Sequence, residues 1–169
     1  MFNKICSILV LSLLISGAAL ASQEARPSPD QILKQRVRAA KQAIRSIDSP
    51  TLKQWIEDDD QQFLLLDVRE PGEVTAGQIE ADESMAIPRG LVEMQFIRKV
   101  KDLDKAVVIY CLAGTRGALA AQALTEMGYT NIYNLEGGLL EWIAAGHPVN
   151  NFFGEFELKN FDSNFKKKG

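Results

Sequence analysis

Two short stretches of this chain are wholly apolar, residues 63–66 (FLLL) and 106–110 (AVVIY), and a third, residues 131–135 (NIYNL), is nearly so. A half-buried strand alternates apolar and polar residues, because successive side chains point to opposite faces. A continuous apolar run of this length has no wet face, so it belongs to a sheet covered on both sides. Between these runs lie segments of helical character: residues 90–100, the alanine-rich 116–127, and 139–145 after Gly137-Gly138. Strands alternating with helices predict an α/β fold, with a central parallel sheet flanked by helices on both faces.

The ends of the chain differ from this alternation. Lys4 precedes an apolar run from Ile5 to Leu20, and Ala19-Leu20-Ala21 supplies a small-residue cleavage pattern. Residues 1–21 therefore read as a secretory signal peptide, with cleavage after Ala21, a periplasmic location and no stable membrane anchor afterwards. Ser28-Pro29-Asp30-Gln31 then supplies an N-cap, a proline at the first helical position and a capping-box glutamine. Leu33, Val37, Ala40 and Ile44 follow at helical spacing, which predicts an amphipathic helix over about 28–43 within an N-terminal extension, 22–46. Its apolar stripe packs either on its own domain or on a second subunit. Residues 44–47 suit either the helix end or a short strand. Ser49-Pro50 opens a further short helix to Ile56, halted by Asp58-Asp59-Asp60. The tail, 150–169, holds five of the chain's eight phenylalanines (Phe152, Phe153, Phe156, Phe161, Phe165) before Lys166-Lys167-Lys168. So dense a set of aromatics is expected to wrap the domain or a partner, and the lysines read as a solvated end.

Composition narrows the chemistry. The formal charge is −3 and no basic stripe is present, which argues against a nucleic-acid partner. The chain has two cysteines and one histidine, and Cys6 lies in the signal segment. Cys111 and His147 cannot by themselves build a Cys/His metal site, so neither a metal nor an organic cofactor is expected. His147, within Gly-His-Pro, reads as a turn residue, and Trp55 and Trp142 as core.

A single cysteine in an exported chain is either an inert buried hydrophobe or a reagent. Cys111 stands at the carboxyl end of a buried strand, where sites in open parallel sheets lie. The segment Cys111-Leu112-Ala113-Gly114-Thr115-Arg116 leads directly into a helix. A helix N-terminus aims backbone N–H groups and a positive dipole at one point, and that favours a thiolate. Arg116 adds a fixed positive charge. The pattern predicts a nucleophilic Cys111 that needs no histidine to take its proton.

These residues resemble the single-domain rhodanese family over 47–149. The landmarks are LLLDVREPGE at 64–73, AIPRG at 86–90, VVIYCLAGTR at 107–116 and YNLEGGLLEW at 133–142. The resemblance implies a rhodanese-like α/β domain whose cysteine carries sulfur as a persulfide. It also bears on the chemistry: sulfurtransferases of this group have four residues between cysteine and arginine, whereas related phosphatases have five. Residues 112–115 make four, a ring of amides suited to one sulfur atom and tight for phosphate.

The basic helix with RAAKQA, the PRG-L-x-E segment and the C-x4-R-x-A-L-A loop are similar to exported polysulfide–sulfur transferases. That narrower likeness implies a homodimer and arginines lining a pocket for an anionic sulfur donor, with Arg69, Arg89 and Arg116 as candidates. Arg69 reads alternatively as an ion pair with Glu73, and Arg89 as a solvated helix start. Loop residues Leu112, Ala113, Gly114 and Thr115 are expected to line the sulfur, with Asp67, Gly137 and Gly138 as structural support. Leu112 and Ala113 stand where many thiosulfate-using relatives carry basic residues, which favours polysulfide as donor. The functional expectation is transfer of sulfane sulfur from polysulfide or thiosulfate to a thiol, cyanide or protein acceptor. The competing reading is a non-enzymatic binding module or sulfur carrier.

Overall fold

The computed structural model describes residues 26–162. The signal segment 1–21, Phe165 and the three lysines therefore lie outside the described residues. Helix α1 (Pro29–Ala43) starts as its sequence dictates, with Ser28 Oγ accepting the Gln31 N–H at 3.2 Å and Gln31 Oε1 accepting the Ser28 N–H at 2.7 Å. The chain then enters strand β1 (Arg45–Ile47) and helix α2 (Ser49–Glu57), capped by Asp48. Because β1 is part of the main sheet, the sheet begins before the boundary expected at 46/47.

Strands β2 (Leu64–Asp67), β3 (Ser84–Ala86), β4 (Val107–Tyr110) and β5 (Ile132–Leu135) complete a five-stranded sheet in the order β1-β5-β4-β2-β3. Every pairing in it is parallel. Helices α4 (Val92–Lys99) and α5 (Thr115–Glu126) supply Val92, Phe96, Ala120, Ala121 and Leu124 to one core, against Leu64, Leu66, Val107 and Ile109. On the opposite face α2 and α6 (Gly138–Ala144) bring Leu52, Leu139, Trp142 and Ile143 against Leu65, Val108 and Tyr110. The two-residue alternation along β2 and β4 thus sorts apolar side chains into two cores, which is why Leu64–Leu66 and the whole of β4 are apolar, with Asp67 closing β2. Helix α1 lies along α5, with Ala40 fully buried.

Several elements depart from the sequence reading. The helix expected over 90–100 is split into a 3-10 turn, Arg89–Leu91, followed by α4. A one-turn helix α3 (Pro71–Val74) and the edge strand β3 were not foreseen. Nor was the hairpin formed by β6 (Val149–Asn151) and β7 (Gly154–Phe156). That hairpin divides the phenylalanines. Phe156 and Phe161 pack against the α2/α6 core, but Phe152 and Phe153 at its tip are 94% and 91% exposed, so this pair does not wrap the domain. His147 closes the turn after α6, its ring 4.4 Å from that of Trp142, and burial pushes its pKa below the ordinary value.

Candidate active site

Strand β4 occupies the middle of the sheet, and the order β1-β5-β4-β2-β3 places a topological switch beside it. From β2 the chain moves outward to β3; from β4 it moves the other way, to β5. Connections leaving neighbouring strands in opposite directions open a crevice at their carboxyl ends. Asp67 and Tyr110 are paired in register, so the two loops start level. Cys111 is the first residue after β4.

Its side chain follows Val107 and Ile109 into the α4/α5 core and is 1% exposed. Gly114 caps α5 in the left-handed region, φ +77°, which turns the loop sharply enough for the helix to start at Thr115. Among the described residues, the backbone N–H groups of Leu112 through Gly117 meet no main-chain acceptor. They are the orphan donors of a helix start joined to those of the loop before it. An anion is their natural complement.

The loop's carbonyls are occupied elsewhere. Helix α6 begins beside the loop, and the Leu139 and Leu140 N–H groups donate to the Cys111 and Leu112 carbonyl oxygens at 2.9 and 3.0 Å. Gly138 makes this approach feasible: a Cβ there would lie 2.3 Å from the Cys111 oxygen, and its φ is +61°. Gly138 thus lies against the loop backbone, while a Cβ at Gly137 would meet the Glu141 side chain. Gly117, not singled out from sequence, is equally constrained, since a Cβ would stand 2.4 Å from the buried Asn134 Oδ1.

The three candidate arginines separate. Arg116 reaches across the crevice to Glu73 at the end of α3, with two hydrogen bonds of 2.6 and 2.7 Å. The Arg116 hydrogen bonds hold the Glu73 carboxyl down at about 2, against an opposing burial effect. The Glu73 hydrogen bonds in turn raise Arg116 above its ordinary value, and a charge on the Cys111 sulfur adds to the rise. Arg116 thus commits both terminal nitrogens to Glu73 while its charge bears on Cys111. Glu73 was foreseen only as a partner for Arg69; its true partner is 43 positions away, and local spacing carries no signal for that.

Arg69 has no free donor face for a substrate. It is 2% exposed, its Nε donates to both Asp67 oxygens at 2.9 and 3.0 Å, and its other nitrogens reach the Glu73 and Gly77 carbonyls. A guanidinium so deeply buried needs its carboxylate, and Asp67 serves it from the end of β2. The pocket role expected of Arg69 is therefore corrected to a structural one, and Asp67 is its counterion. Arg89 pairs with Glu93 at 2.8 Å and donates to the Leu119 carbonyl at 3.3 Å, in a groove shared with α1 and α5. The structure brings Cys111, the 112–115 loop, Arg116 and Glu73 together, and leaves Arg69 and Arg89 engaged elsewhere. Among the described residues no cluster of three His, Cys, Asp or Glu groups could hold a metal ion, and no helix is long and apolar enough to cross a membrane.

A parallel sheet with one cysteine at the foot of an amide ring defines a class of anion-handling α/β domains, and comparison with known proteins narrows the class. The model of the rhodanese-like domain matches residues 48–145. A sulfurtransferase of Allochromatium vinosum is 35% identical over 106 residues, covering 63% of this chain and 94% of its own. Among solved structures, the polysulfide–sulfur transferase homodimer of Wolinella succinogenes is 28% identical with TM-score 0.60, over 78% of this chain and 91% of that one. A Rhodopseudomonas palustris protein named as a possible tyrosine phosphatase is 25% identical with TM-score 0.64, over 76% of this chain and 98% of that one. The chain belongs to the rhodanese-like family and is related to sulfurtransferases.

Proposed function

We propose that this protein is an exported sulfurtransferase that carries sulfane sulfur on Cys111, with polysulfide as its preferred donor. One observation carries the reading: a buried sulfur stands at the head of a loop whose N–H groups, from Leu112 to Gly117, meet no main-chain acceptor, with the Arg116 charge bearing on it. The Cys111 thiolate attacks the terminal sulfur of a polysulfide dianion. The new Sγ–S bond forms as the donor's S–S bond breaks, and the shortened polysulfide leaves with the electron pair. The persulfide anion that remains is held by the loop amides and the α5 dipole. An acceptor thiolate then attacks the outer sulfur, the Sγ–S bond breaks, and the pair returns to Sγ. No redox partner is consumed, and two displacements through a covalent intermediate give ping-pong kinetics.

Arg116 is the loop's own cation and Leu112 and Ala113 add none, which favours the polysulfide chain over thiosulfate. Export to the periplasm rests on the 1–21 segment, and a homodimer on the W. succinogenes relative together with the exposed Ile32 on α1. Intact mass after incubation with polysulfide tests the chemistry: a reducible gain of one sulfur is expected, and it must vanish in Cys111→Ser. A gain that survives that substitution refutes the assignment, and no gain with either donor favours a binding module presenting Phe152 and Phe153. A kcat/KM as high with thiosulfate as with polysulfide refutes the donor preference. An unchanged mass by light scattering after deletion of α1 dismisses a dimer built on that helix.

A further inference from the structure

Helix α1 lies outside the residues matched by the rhodanese-like domain, yet it runs beside the catalytic loop. Between them is an open groove of about 540 Å³, lined by Leu33, Lys34, Val37, Arg38 and Lys41 of α1 and by Thr115. The volume falls within the ~300–1,000 Å³ of small-molecule sites. Its charge is the reverse of the molecule's: the chain carries −3 overall, while α1 carries Lys34, Arg36, Arg38 and Lys41 against Asp30 alone. Lys34 is paired with Asp30 at 2.7 Å, but among the described residues Arg38 and Lys41 have no ionic or hydrogen-bonding partner. Thr115, the last residue before Arg116, is the wall that the Cys111 loop contributes to the groove.

We infer that this groove is the subsite for the sulfur acceptor, and that the acceptor is a thiol of peptide size bearing carboxylates several bonds away from its sulfur. The inference rests on the persulfide reading above and assigns its second half. An acceptor thiolate approaching a persulfide anion meets like charge, so the encounter needs cations placed away from the reacting atoms. Lys34, Arg38 and Lys41 supply them along one side of the mouth, and Leu33 and Val37 provide apolar floor for the acceptor's carbon skeleton. An overall acidic surface disfavours such a thiol elsewhere and orients it toward α1. In the transfer, the acceptor thiolate sulfur bonds to the outer persulfide sulfur, the Sγ–S bond breaks, and Cys111 regains its thiolate. One negative charge enters on the acceptor and one leaves on its persulfide.

The test isolates the acceptor step. The protein is loaded with polysulfide, desalted and mixed with glutathione (a thiol with two carboxylates), 2-mercaptoethanol (neutral) or cysteamine (cationic), and persulfide decay is followed by intact mass. For R38E/K41E the second-order discharge into glutathione is expected to fall at least about tenfold, with 2-mercaptoethanol within about twofold of the parent and cysteamine unchanged or faster. Added salt should slow glutathione with the parent and not with the variant. The milder R38Q/K41Q should fall between the two, and unchanged sulfur loading shows that the variants remain folded. A loaded variant that discharges into glutathione as fast as the parent, or that loses all three acceptors equally, overturns the subsite alone. A parent protein that takes up no sulfur overturns the transfer reading and the subsite with it.

Discussion

The contact between Arg116 and Glu73 makes a measurable claim about stability and pH. Its two hydrogen bonds are short and bidentate, and each side chain is 32% exposed. Charge-assisted pairs of that geometry are stronger than neutral ones, and partial exposure screens them, so Glu73→Gln is expected to destabilise the fold by about 1–2 kcal/mol at pH 7. The Glu73 carboxyl lies at about 2 in the folded protein against an ordinary 4.5. A depressed carboxyl contributes stability that is complete above the unfolded value and is lost as pH falls toward the folded one. The gap between parent and Glu73→Gln should therefore be constant from pH 7 to about 5.5 and shrink between 4.5 and 2, to less than half by pH 3. Urea denaturation at pH 7, 5.5, 4 and 3, followed by circular dichroism, reads this directly. A gap of the same size at pH 3 as at pH 7 refutes the ion-pair account, and no gap at pH 7 refutes the contact's contribution.

Three other perturbations separate structural from catalytic roles. Gly138→Ala places a Cβ against the Cys111 carbonyl in a positive-φ position; a loss of about 2 kcal/mol or more in urea denaturation, together with slower sulfur uptake, is expected. Arg69→Met leaves Asp67 buried without its counterion and should cost about 3–5 kcal/mol, seen as a large fall in Tm, whereas Arg89→Met, at a partly exposed pair, should cost under about 1 kcal/mol. Phe152→Ser with Phe153→Ser removes rings that touch mainly each other, 5.4 Å apart, so thermal unfolding should shift by no more than about 0.5 kcal/mol equivalent.

The parts of this molecule legible in its sequence are those where one physical demand acts alone. Strands β2 and β4 are buried on both faces, so apart from Asp67 at the end of β2 every residue in them is apolar, and the period-2 signal disappears in a recognisable way. The α1 start is written in Ser28, Pro29 and Gln31, because capping is a local hydrogen-bonding problem. Strand β3 is only Ser84-Met85-Ala86, with two of its residues exposed, and nothing in so short a segment distinguishes an edge strand from a loop. The β6–β7 hairpin lies at the start of the aromatic tail, where Asn150 and Asn151 give no strand pattern yet hydrogen-bond to Glu80 and the Ala76 carbonyl. At the site, Cys111 and its glycines follow from strand-end and helix-start geometry. The arginines do not, because a cation's role is set by which carboxylate the fold carries to it. Arg69 lies four residues from Glu73 and pairs with the Asp67 carboxylate; Arg116 lies far from Glu73 and captures it.

The clamp that α6 places on the Cys111 loop also limits where this fold can go in evolution. Two carbonyls of the loop are tied to Leu139 and Leu140, and Gly114 would bring any added Cβ within 3.1 Å of the Gly137 nitrogen. A single inserted residue, the step that separates a sulfur-sized ring from a phosphate-sized one, has no slack to occupy. It must displace the start of α6 or of α5, and the second of these carries Arg116 away from Glu73. Drift toward phosphate chemistry in this lineage therefore cannot proceed by loop insertion alone. It requires matched changes at Gly137-Gly138, more than twenty residues downstream, before the longer loop is tolerated.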